Sequence, residues 1–177
     1  MRRVFGSVVV ECVQGDITDQ PDVDAVVNAA NAQLAPGGGV AGAIHAKAGP
    51  GLYDECRALA PIRTGQAVIT SGHGLPNDWC LHVLGPVYDR SPDPEGELAS
   101  CYREVLVRAE ERSLTSVATP AVSTGIFGYP VADAAGVALS VVASQAPRLR
   151  TVRLVRFVCW AEADLRAHIE ALEGVQA

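Results

Sequence analysis

The stretch DAVVNAANAQLAPGGGVAGAIHAKAG, residues 24–49, gives the strongest indication of the fold. It begins with a short run of apolar and β-branched residues, Asp24 to Asn28, which predicts a buried strand. A loop with Pro36 and three consecutive glycines follows, and residues 40–48 then predict a helix. A strand, a glycine-rich loop and a helix in this order are typical of an α/β protein.

The same alternation of strands and helices continues on both sides of this stretch. The helix after Gly96 has apolar residues at the i, i+3, i+4, i+7 spacing from Leu98 to Ala109. The alternation predicts a mainly parallel sheet with helices on both faces. We expect one domain over residues 1–177. The other strands are predicted at 8–13, 67–70, 80–84, 116–122 (broken at Pro120) and 151–159, and the other helices at 51–60, 131–143 and around Leu165, Ile169 and Leu172.

The composition predicts a folded protein without a surface for duplex nucleic acid. Hydrophobic residues make up 49% of the chain, which excludes a disordered segment. The formal net charge of −6 argues against binding to a duplex, which needs a basic face. A small anionic ligand stays compatible with this charge, because backbone N–H groups can hold an anion without cationic side chains.

Cysteine usage and the N-terminal residues predict a cytoplasmic protein. The cysteines are five in number, scattered, and form no CxxC pair, so we expect buried thiols rather than disulfides or a zinc site. The first apolar run ends at Glu11 without a small-residue cleavage site after it, unlike a signal peptide. No apolar stretch approaches the ~20 residues of a membrane span. We expect no membrane association, no metal and no cofactor.

Two further loops follow predicted strands. Gly15-Asp16-Ile17 places a carboxylate just beyond the first strand, where it can accept a hydrogen bond from an amino group such as that of adenine; a solvated turn is the alternative. Residues 123–130, STGIFGYP, contain small residues and two glycines that suit phosphate binding through backbone N–H groups. With the glycines at 37–39, which precede a helix, these loops predict a site for a nucleotide-like ligand.

Two common motifs match this sequence only in part. Residues 37–42 match GxGxxG, but about eight residues separate them from the preceding strand, whereas the dinucleotide-binding turn follows its strand directly. Residues 121–125, AVSTG, differ by one residue from the G-x-S-x-G elbow of hydrolases, but the next helix starts some seven residues later. We therefore expect neither a Rossmann fingerprint nor a serine nucleophile at Ser123.

Five segments together resemble the macrodomain family, and they occur in that family's order. They are GDIT (15–18), DAVVNAAN (24–31), GGGVAGAIHAKAG (37–49), CLHVLGP (80–86) and STGIFGYP (123–130). The resemblance extends over nearly the whole chain. It implies a three-layer α/β/α fold with a mixed, mostly parallel six-stranded sheet and a cleft for ADP-ribose.

The resemblance also implies roles for individual residues. Asp16 would bind the adenine amine, Ile17 would contact the base through its backbone, and Trp160 would stack on it, the alternative being an ordinary core or surface Trp. The amides of Asn28 and Asn31 suit ribose hydroxyls, and Asn31 would hold the distal ribose. The phosphates would be bracketed by Gly38, Gly39 and Val40 on one side, and on the other by Ser123, Thr124, Gly125, Ile126 and Phe127, of which Phe127 also shapes the distal ribose pocket.

Position 41 distinguishes this chain from many hydrolytic macrodomains. Those members carry an Asp there, the proposed activator of the attacking water, whereas this chain has Ala41. Other members of the family, viral hydrolases among them, also have Ala. His45 matches a family His one helical turn further on. It is a candidate catalytic residue together with Asn31, although a His that only packs on the helix face is the alternative.

The resemblance predicts an enzyme that hydrolyses ADP-ribose esters. Its substrates would be mono-ADP-ribosyl groups on protein Asp or Glu, or O-acetyl-ADP-ribose. The partner would be ADP-ribose or an ADP-ribosylated protein, and we expect a bacterial monomer. Two alternatives stay open: a non-catalytic reader of ADP-ribose, which Ala41 favours, and a hydrolase of modified nucleic acid, which the net charge disfavours.

Overall fold

The computed structural model describes residues 1–176 as a central sheet with helices on both faces. The strands are β1 (Arg2–Phe5), β2 (Val8–Gln14), β3 (Ala25–Ala29), β4 (Ala67–Ser71), β5 (Trp79–Val83), β6 (Ser116–Thr119) and β7 (Leu154–Cys159). The helices are α1 (Gly39–Ala48), α2 (Pro50–Cys56), α3 (Pro94–Glu111), α4 (Val131–Gln145) and α5 (Glu162–Gly174). A 3₁₀ turn, Ala146–Arg148, follows α4.

The sheet is mixed, with strand order β1-β2-β7-β6-β3-β5-β4. The five central strands are parallel to one another, whereas the edge strands β1 and β4 are antiparallel to their neighbours. This is the expected three-layer α/β/α fold with a mostly parallel sheet. The sheet has seven strands rather than the expected six.

The additional strand is β1, which pairs with β2 as a hairpin. The turn between them contains Gly6 at φ 59°, a left-handed conformation that glycine adopts without a steric penalty. The strand has only four residues, RRVF, and they do not show the alternation of apolar and polar residues that a half-buried strand shows. Its one β-branched residue, Val4, is 64% exposed. Only its pairing with β2 defines it as a strand.

Each face of the sheet has its own apolar core. On β3, Ala25 and Val27 pack into the core beneath α3, α4 and α5, whereas Val26 packs into the core beneath α1 and α2. This alternation arises because successive side chains of a strand point to opposite faces. Buried strands of this kind are nearly continuously apolar, as the sequence of β3 predicted.

Three predicted elements are shorter than expected, and one of them is β7, which begins at Leu154 rather than at residue 151. Helix α2 ends at Cys56 rather than at residue 60, and a turn continues towards Pro61, which disfavours helical conformation in the residue before it. Strand β6 ends at Thr119, directly before Pro120, which cannot donate a ladder hydrogen bond. In contrast, the predicted apolar face of α3, Leu98 to Ala109, is buried as expected.

The parallel arrangement places the carboxyl ends of β2, β7, β6, β3 and β5 along one edge of the sheet. Loops at this edge connect the strands to the helices, which is where α/β proteins bind ligands. Among residues 1–176, no helix combines the length and apolar character required to cross a lipid bilayer.

Candidate functional site

A cleft of about 360 Å³ opens at this edge of the sheet, beyond the ends of β3, β5 and β6. One wall is the glycine loop with the start of α1, and the other is the loop that precedes α4. Its lining consists of Ala29, Ala30, Asn31, Gly37, Gly38, Gly39, Val40, Ala41, Gly85, Val122, Ser123, Gly125, Ile126 and Phe127.

None of these lining residues has a charged side chain. The first turn of α1 supplies donors instead: its first helical bond runs from Gly42 N to Gly38 O, so the N–H groups of Gly39, Val40 and Ala41 are not used by the helix. The cap, Gly38, offers no side chain, and the first turn has no acidic residue. Backbone donors and the helix dipole therefore favour an anion at this wall.

Glycine is required in this wall by conformation at one position and by space at another. Gly39 has φ 55°, which L side chains rarely adopt. A Cβ on Gly42 would overlap the carbonyl oxygen of Gly37, so α1 packs directly on the glycine loop. In contrast, a Cβ on Gly38 would meet no atom within 4 Å, because Gly38 faces open space.

The opposite wall is the loop of residues 123–129, which is closed by a hydrogen bond between its two ends and contains one tight turn. Ser123 has φ 67°, and its carbonyl accepts from Tyr129 N at 2.9 Å. Within this closure, Gly128 N donates to Gly125 O at 3.0 Å. At the far end, Tyr88 N donates to Phe127 O at 2.9 Å, which anchors the loop to the segment after β5. Ile126, at the tip, is fully exposed. The wall is therefore a braced loop with an open tip.

Asn31 lies at the base of the cleft and holds the start of the glycine loop. Its Nδ2 donates to Ala35 O at 2.9 Å, and its Oδ1 accepts from Ala35 N at 3.0 Å. Each of these atoms can form one further hydrogen bond, because an amide has two N–H donors and two acceptor lone pairs. Asn31 can therefore brace the loop and contact a ligand at the same time.

Asp16, Ile17 and Trp160 lie at the same edge of the sheet but outside the lining of the cleft. They follow β2 and β7, and Gly15 N donates to Cys159 O at 3.0 Å, which joins the two segments. Asp16 Oδ1 accepts from both Thr18 N and Thr18 Oγ1 at 2.8 Å. Ile17 is buried, whereas Trp160 is 76% exposed, with its indole available to a flat ligand.

The structure does not bring Asn28 into the cleft lining. Asn28 is fully buried on the face of β3 beneath α1 and α2, and its Nδ2 is 3.1 Å from His82 Nδ1. His82 Nε2 is 2.9 Å from Thr70 Oγ1 and 3.8 Å from Cys56 Sγ. Burial, with a smaller contribution from nearby His45, lowers the pKa of His82 to about 3. Asn28 therefore belongs to a buried polar cluster under the cleft.

His45 also lies outside the cleft lining, one helical turn along α1 from Ala41. It lines a second cavity of about 380 Å³ with Pro36, Ala46, Gly49, Pro50, Tyr53, Asp54 and Arg57. Both ring nitrogens are buried without a hydrogen-bond partner, and the ring packs edge-on against Tyr53. Burial lowers the pKa of His45, so the imidazole is neutral near pH 7.

Sequence reasoning did not select Gly85, which lies between the two walls of the cleft. The feature of the sequence that could have indicated it is the Gly85-Pro86 pair, which marks a turn immediately after the CLHVL strand. A Cβ on Gly85 would overlap Ser123 Oγ and press against Val122 Cγ1 at 2.7 Å. The need for glycine at this position therefore comes from a contact between segments 37 residues apart in the sequence.

The fold and the site define a class of protein. It is an α/β/α domain whose uncharged cleft, at the carboxyl edge of a mostly parallel sheet, offers backbone donors from two loops to an anion. Among residues 1–176, no group of His, Cys, Asp or Glu side chains is arranged to hold a metal ion.

Comparisons with known proteins identify the family within this class. The family model described as "Macro domain" matches residues 27–138. A macro domain-containing protein of Chlorobaculum tepidum is 44% identical over 167 residues, covering 94% of this chain and 96% of that protein. The chain belongs to the macrodomain family.

Two further relatives are named for a ligand or an activity. The O-acetyl-ADP-ribose deacetylase of Salmonella gallinarum is 44% identical over 167 residues, covering 92% of this chain and 93% of the relative. The structure of the Oceanobacillus iheyensis macrodomain with ADP superposes with a TM-score of 0.93 and 37% identity, covering 98% of this chain and 94% of that one.

Proposed function

We propose that this protein binds ADP-ribose and hydrolyses ADP-ribose esters, either on protein Asp or Glu side chains or in O-acetyl-ADP-ribose. The observation that carries the proposal is the uncharged cleft between two loops of backbone N–H groups. A diphosphate fits this cleft without a cationic side chain, because the donors and the helix dipole are fixed before it binds. The relatives named for ADP and for O-acetyl-ADP-ribose support this ligand class.

The arrangement along the sheet edge supports a ligand with adenosine at one end and a ribose at the other. The Asp16 loop follows β2, and Asn31 follows β3, which is three strands away in the sheet order. Neighbouring strands lie about 4.8 Å apart, so these two ends are on the order of 14 Å apart. In this proposal Asp16, Ile17 and Trp160 hold adenine, the two loops hold the diphosphate, and Asn31 with Phe127 holds the distal ribose.

The proposed chemistry depends on the positioning of water. Ala41 lines the cleft and supplies no base, so the ligand's own phosphate and the loop amides would place the water. When the ester joins the distal ribose to an Asp or Glu, the water oxygen would bond to C1 of the ribose as the bond from C1 to the carboxylate oxygen breaks. The carboxylate leaves without needing a proton, and the proton of the water would pass to the ligand's phosphate or to solvent. Backbone donors would stabilise the developing negative charge without reorganising. For His45, the geometry supports a role in the wall beside Ala41 rather than contact with substrate.

Ala41 also supports a second candidate function, a reader that binds ADP-ribose without turning it over. In that case the chain would bind the ligand through the same cleft but lack a group that activates water.

A direct experiment separates these functions. Titration calorimetry with ADP-ribose tests the cleft, and release of ADP-ribose from a protein modified on acidic residues tests turnover. Binding with release supports the enzyme, and binding without release supports the reader. If ADP-ribose does not bind at millimolar concentration, both proposals are wrong.

A further inference from the structure

Arg156 lies beneath the loop that carries Asp16 and contacts three groups at once. It is on β7 directly opposite Glu11 on β2, and its Nε donates to Glu11 Oε1 at 2.6 Å. Its Nη1 donates to Gln20 Oε1 at 2.9 Å, and the Nη1 and Nη2 atoms bind the Asp22 carboxylate at 2.8 and 2.7 Å. The Arg156 side chain is only 13% exposed.

Gln20 connects Arg156 to Asp16 through two hydrogen bonds. Its Nε2 donates to the backbone carbonyl oxygen of Asp16 at 2.8 Å, while its Oε1 accepts from Arg156. Only one orientation of the amide satisfies both neighbours, since a guanidinium can only donate and a carbonyl can only accept. Gln20 is itself 8% exposed, so water does not readily replace either contact.

The Asp16 carboxylate is oriented by a second set of contacts. Thr18 occupies Oδ1 through its N–H and its hydroxyl, which leaves Oδ2 for an external donor. The carbonyl oxygen of Asp16 accepts from Gln20 Nε2 and, at 3.1 Å, from Asp19 N, and Thr18 fixes the carboxylate, so Oδ2 has a defined position at the sheet edge. A single oriented acceptor is suited to recognise a single amino group.

We propose that Arg156 and Gln20 are positioning residues that set the preference of the site for a purine with an exocyclic amine. They touch no ligand and act through Asp16. The inference rests on the proposed binding of ADP-ribose and adds to it the structural origin of base selectivity. When the hydrogen bond from Gln20 is lost, the Asp16 loop can move. The hydrogen bond between Asp16 and the amine is then weakened, whereas the contacts to the rest of the ligand are unchanged.

The test compares ADP-ribose with inosine diphosphate ribose, which has the same charge and sugars but lacks the exocyclic amine. Calorimetry is performed on the parent protein, on Gln20→Glu and on Asp19→Asn. Gln20→Glu keeps the acceptor for Arg156 but replaces the donor to Asp16 O with an oxygen. Asp19→Asn is the control, because Asp19 is an exposed residue of the same loop and its side chain takes no part in the contacts from Arg156 through Gln20 to Asp16.

We expect the parent protein to prefer ADP-ribose. Gln20→Glu should weaken ADP-ribose binding by about fivefold to tenfold, the effect of one lost hydrogen bond, and change inosine diphosphate ribose binding by less than about twofold. Asp19→Asn should leave both affinities within about twofold. Arg156→Lys is a second variant, since an ammonium cannot hold Gln20 and Asp22 in the fork geometry; it should show the same ligand-dependent loss.

Thermal unfolding of each variant identifies any that do not fold. If Gln20→Glu does not fold, the comparison rests on Arg156→Lys, and if Arg156→Lys does not fold, it rests on Gln20→Glu. Equal losses for both ligands would show a general structural effect and overturn the inference, as would unchanged ADP-ribose affinity. If the parent protein binds both ligands equally well, the inference fails while the proposed function stands. If it binds neither, the proposed function fails as well.

Discussion

Gly85 and Ser123 lie against each other so closely that a methyl group on residue 85 would overlap the Ser123 hydroxyl. Gly85 follows β5 and Ser123 follows β6, and both line the cleft. Ser123 has φ 67°, and its hydroxyl is buried without a hydrogen-bond partner. The conformation of the loop at residues 123–129 therefore depends on the absence of a side chain at position 85.

Gly85→Ala is predicted to displace this loop. Overpacking should reduce the free energy of unfolding by about 1–3 kcal/mol, and ADP-ribose affinity should fall because the loop donors move. Urea unfolding and calorimetry measure the two effects. Gly136→Ala is the matched control: it lies within α4 with open space around it, so it should stabilise the protein by about 0.5–1 kcal/mol and leave affinity unchanged. Similar behaviour of both variants would contradict the close contact.

Ala41→Asp is predicted to increase turnover of ADP-ribose esters by roughly 10²-fold, because a carboxylate in the cleft can act as a general base on water. The measurement is single-turnover release from a protein modified on acidic residues. Ala41→Asn has nearly the same shape without the base and should give no such increase. If the Asp and Asn variants hydrolyse the ester at the same rate, position 41 does not control activation of water.

Asn31→Ala is predicted to reduce kcat by about tenfold or more while changing the Kd for ADP-ribose by less than about threefold, since misplacement of the distal ribose affects reaction more than binding. The free energy of unfolding should also fall by about 1 kcal/mol, because the hydrogen bonds to Ala35 are lost. Gln33→Ala, an exposed position on the same loop, serves as the control for kcat. An unchanged kcat in Asn31→Ala would exclude this residue from the chemistry.

Stability is predicted to decrease in mild acid because His82 is buried as the neutral imidazole. Its folded pKa of about 3 lies below the unfolded value of about 6.5, so between these pH values the unfolded chain binds more protons. Stability therefore falls as the pH falls through this window, by on the order of 2 kcal/mol from pH 7 to 5. His82→Gln, although less stable at pH 7, should show a shallower decline by urea unfolding. Parallel declines would show that another group causes the acid sensitivity.

Trp160→Ala is predicted to weaken ADP-ribose binding by about 1–3 kcal/mol, the usual effect of removing an aromatic side chain that stacks on a base. Trp160→Phe should retain most of the affinity, because a smaller aromatic face remains. The parent protein should show quenching of indole fluorescence on titration, and the Phe variant should show much less. Trp79, which is partly buried under Arg112, provides the background emission. Equal affinity of the Ala variant and the parent protein would leave Trp160 outside the site.

The sequence predicted those features that depend on local pattern. The apolar spacing in α3 identified its buried face, and the glycine-rich segment before α1 identified one wall of the cleft. The short edge strand β1 escaped detection, because four residues with an exposed Val4 have no distinctive pattern without β2 beside them. Asn28 and His45 were assigned to the site by their motifs, yet the structure places Asn28 beneath the cleft and His45 in a neighbouring cavity.

By itself, the sequence determined the α/β architecture and predicted which glycine-rich loops line the cleft. These follow from hydrophobic periodicity and from glycine placement, both of which act over a few residues. Only the tertiary structure decided that Gly85 must lack a side chain, that Asn28 serves a buried cluster with His82, and that Arg156 supports Asp16 through Gln20. The residues in each of these relationships are distant in the chain. They come within contact distance because of the order and register of the strands in the sheet.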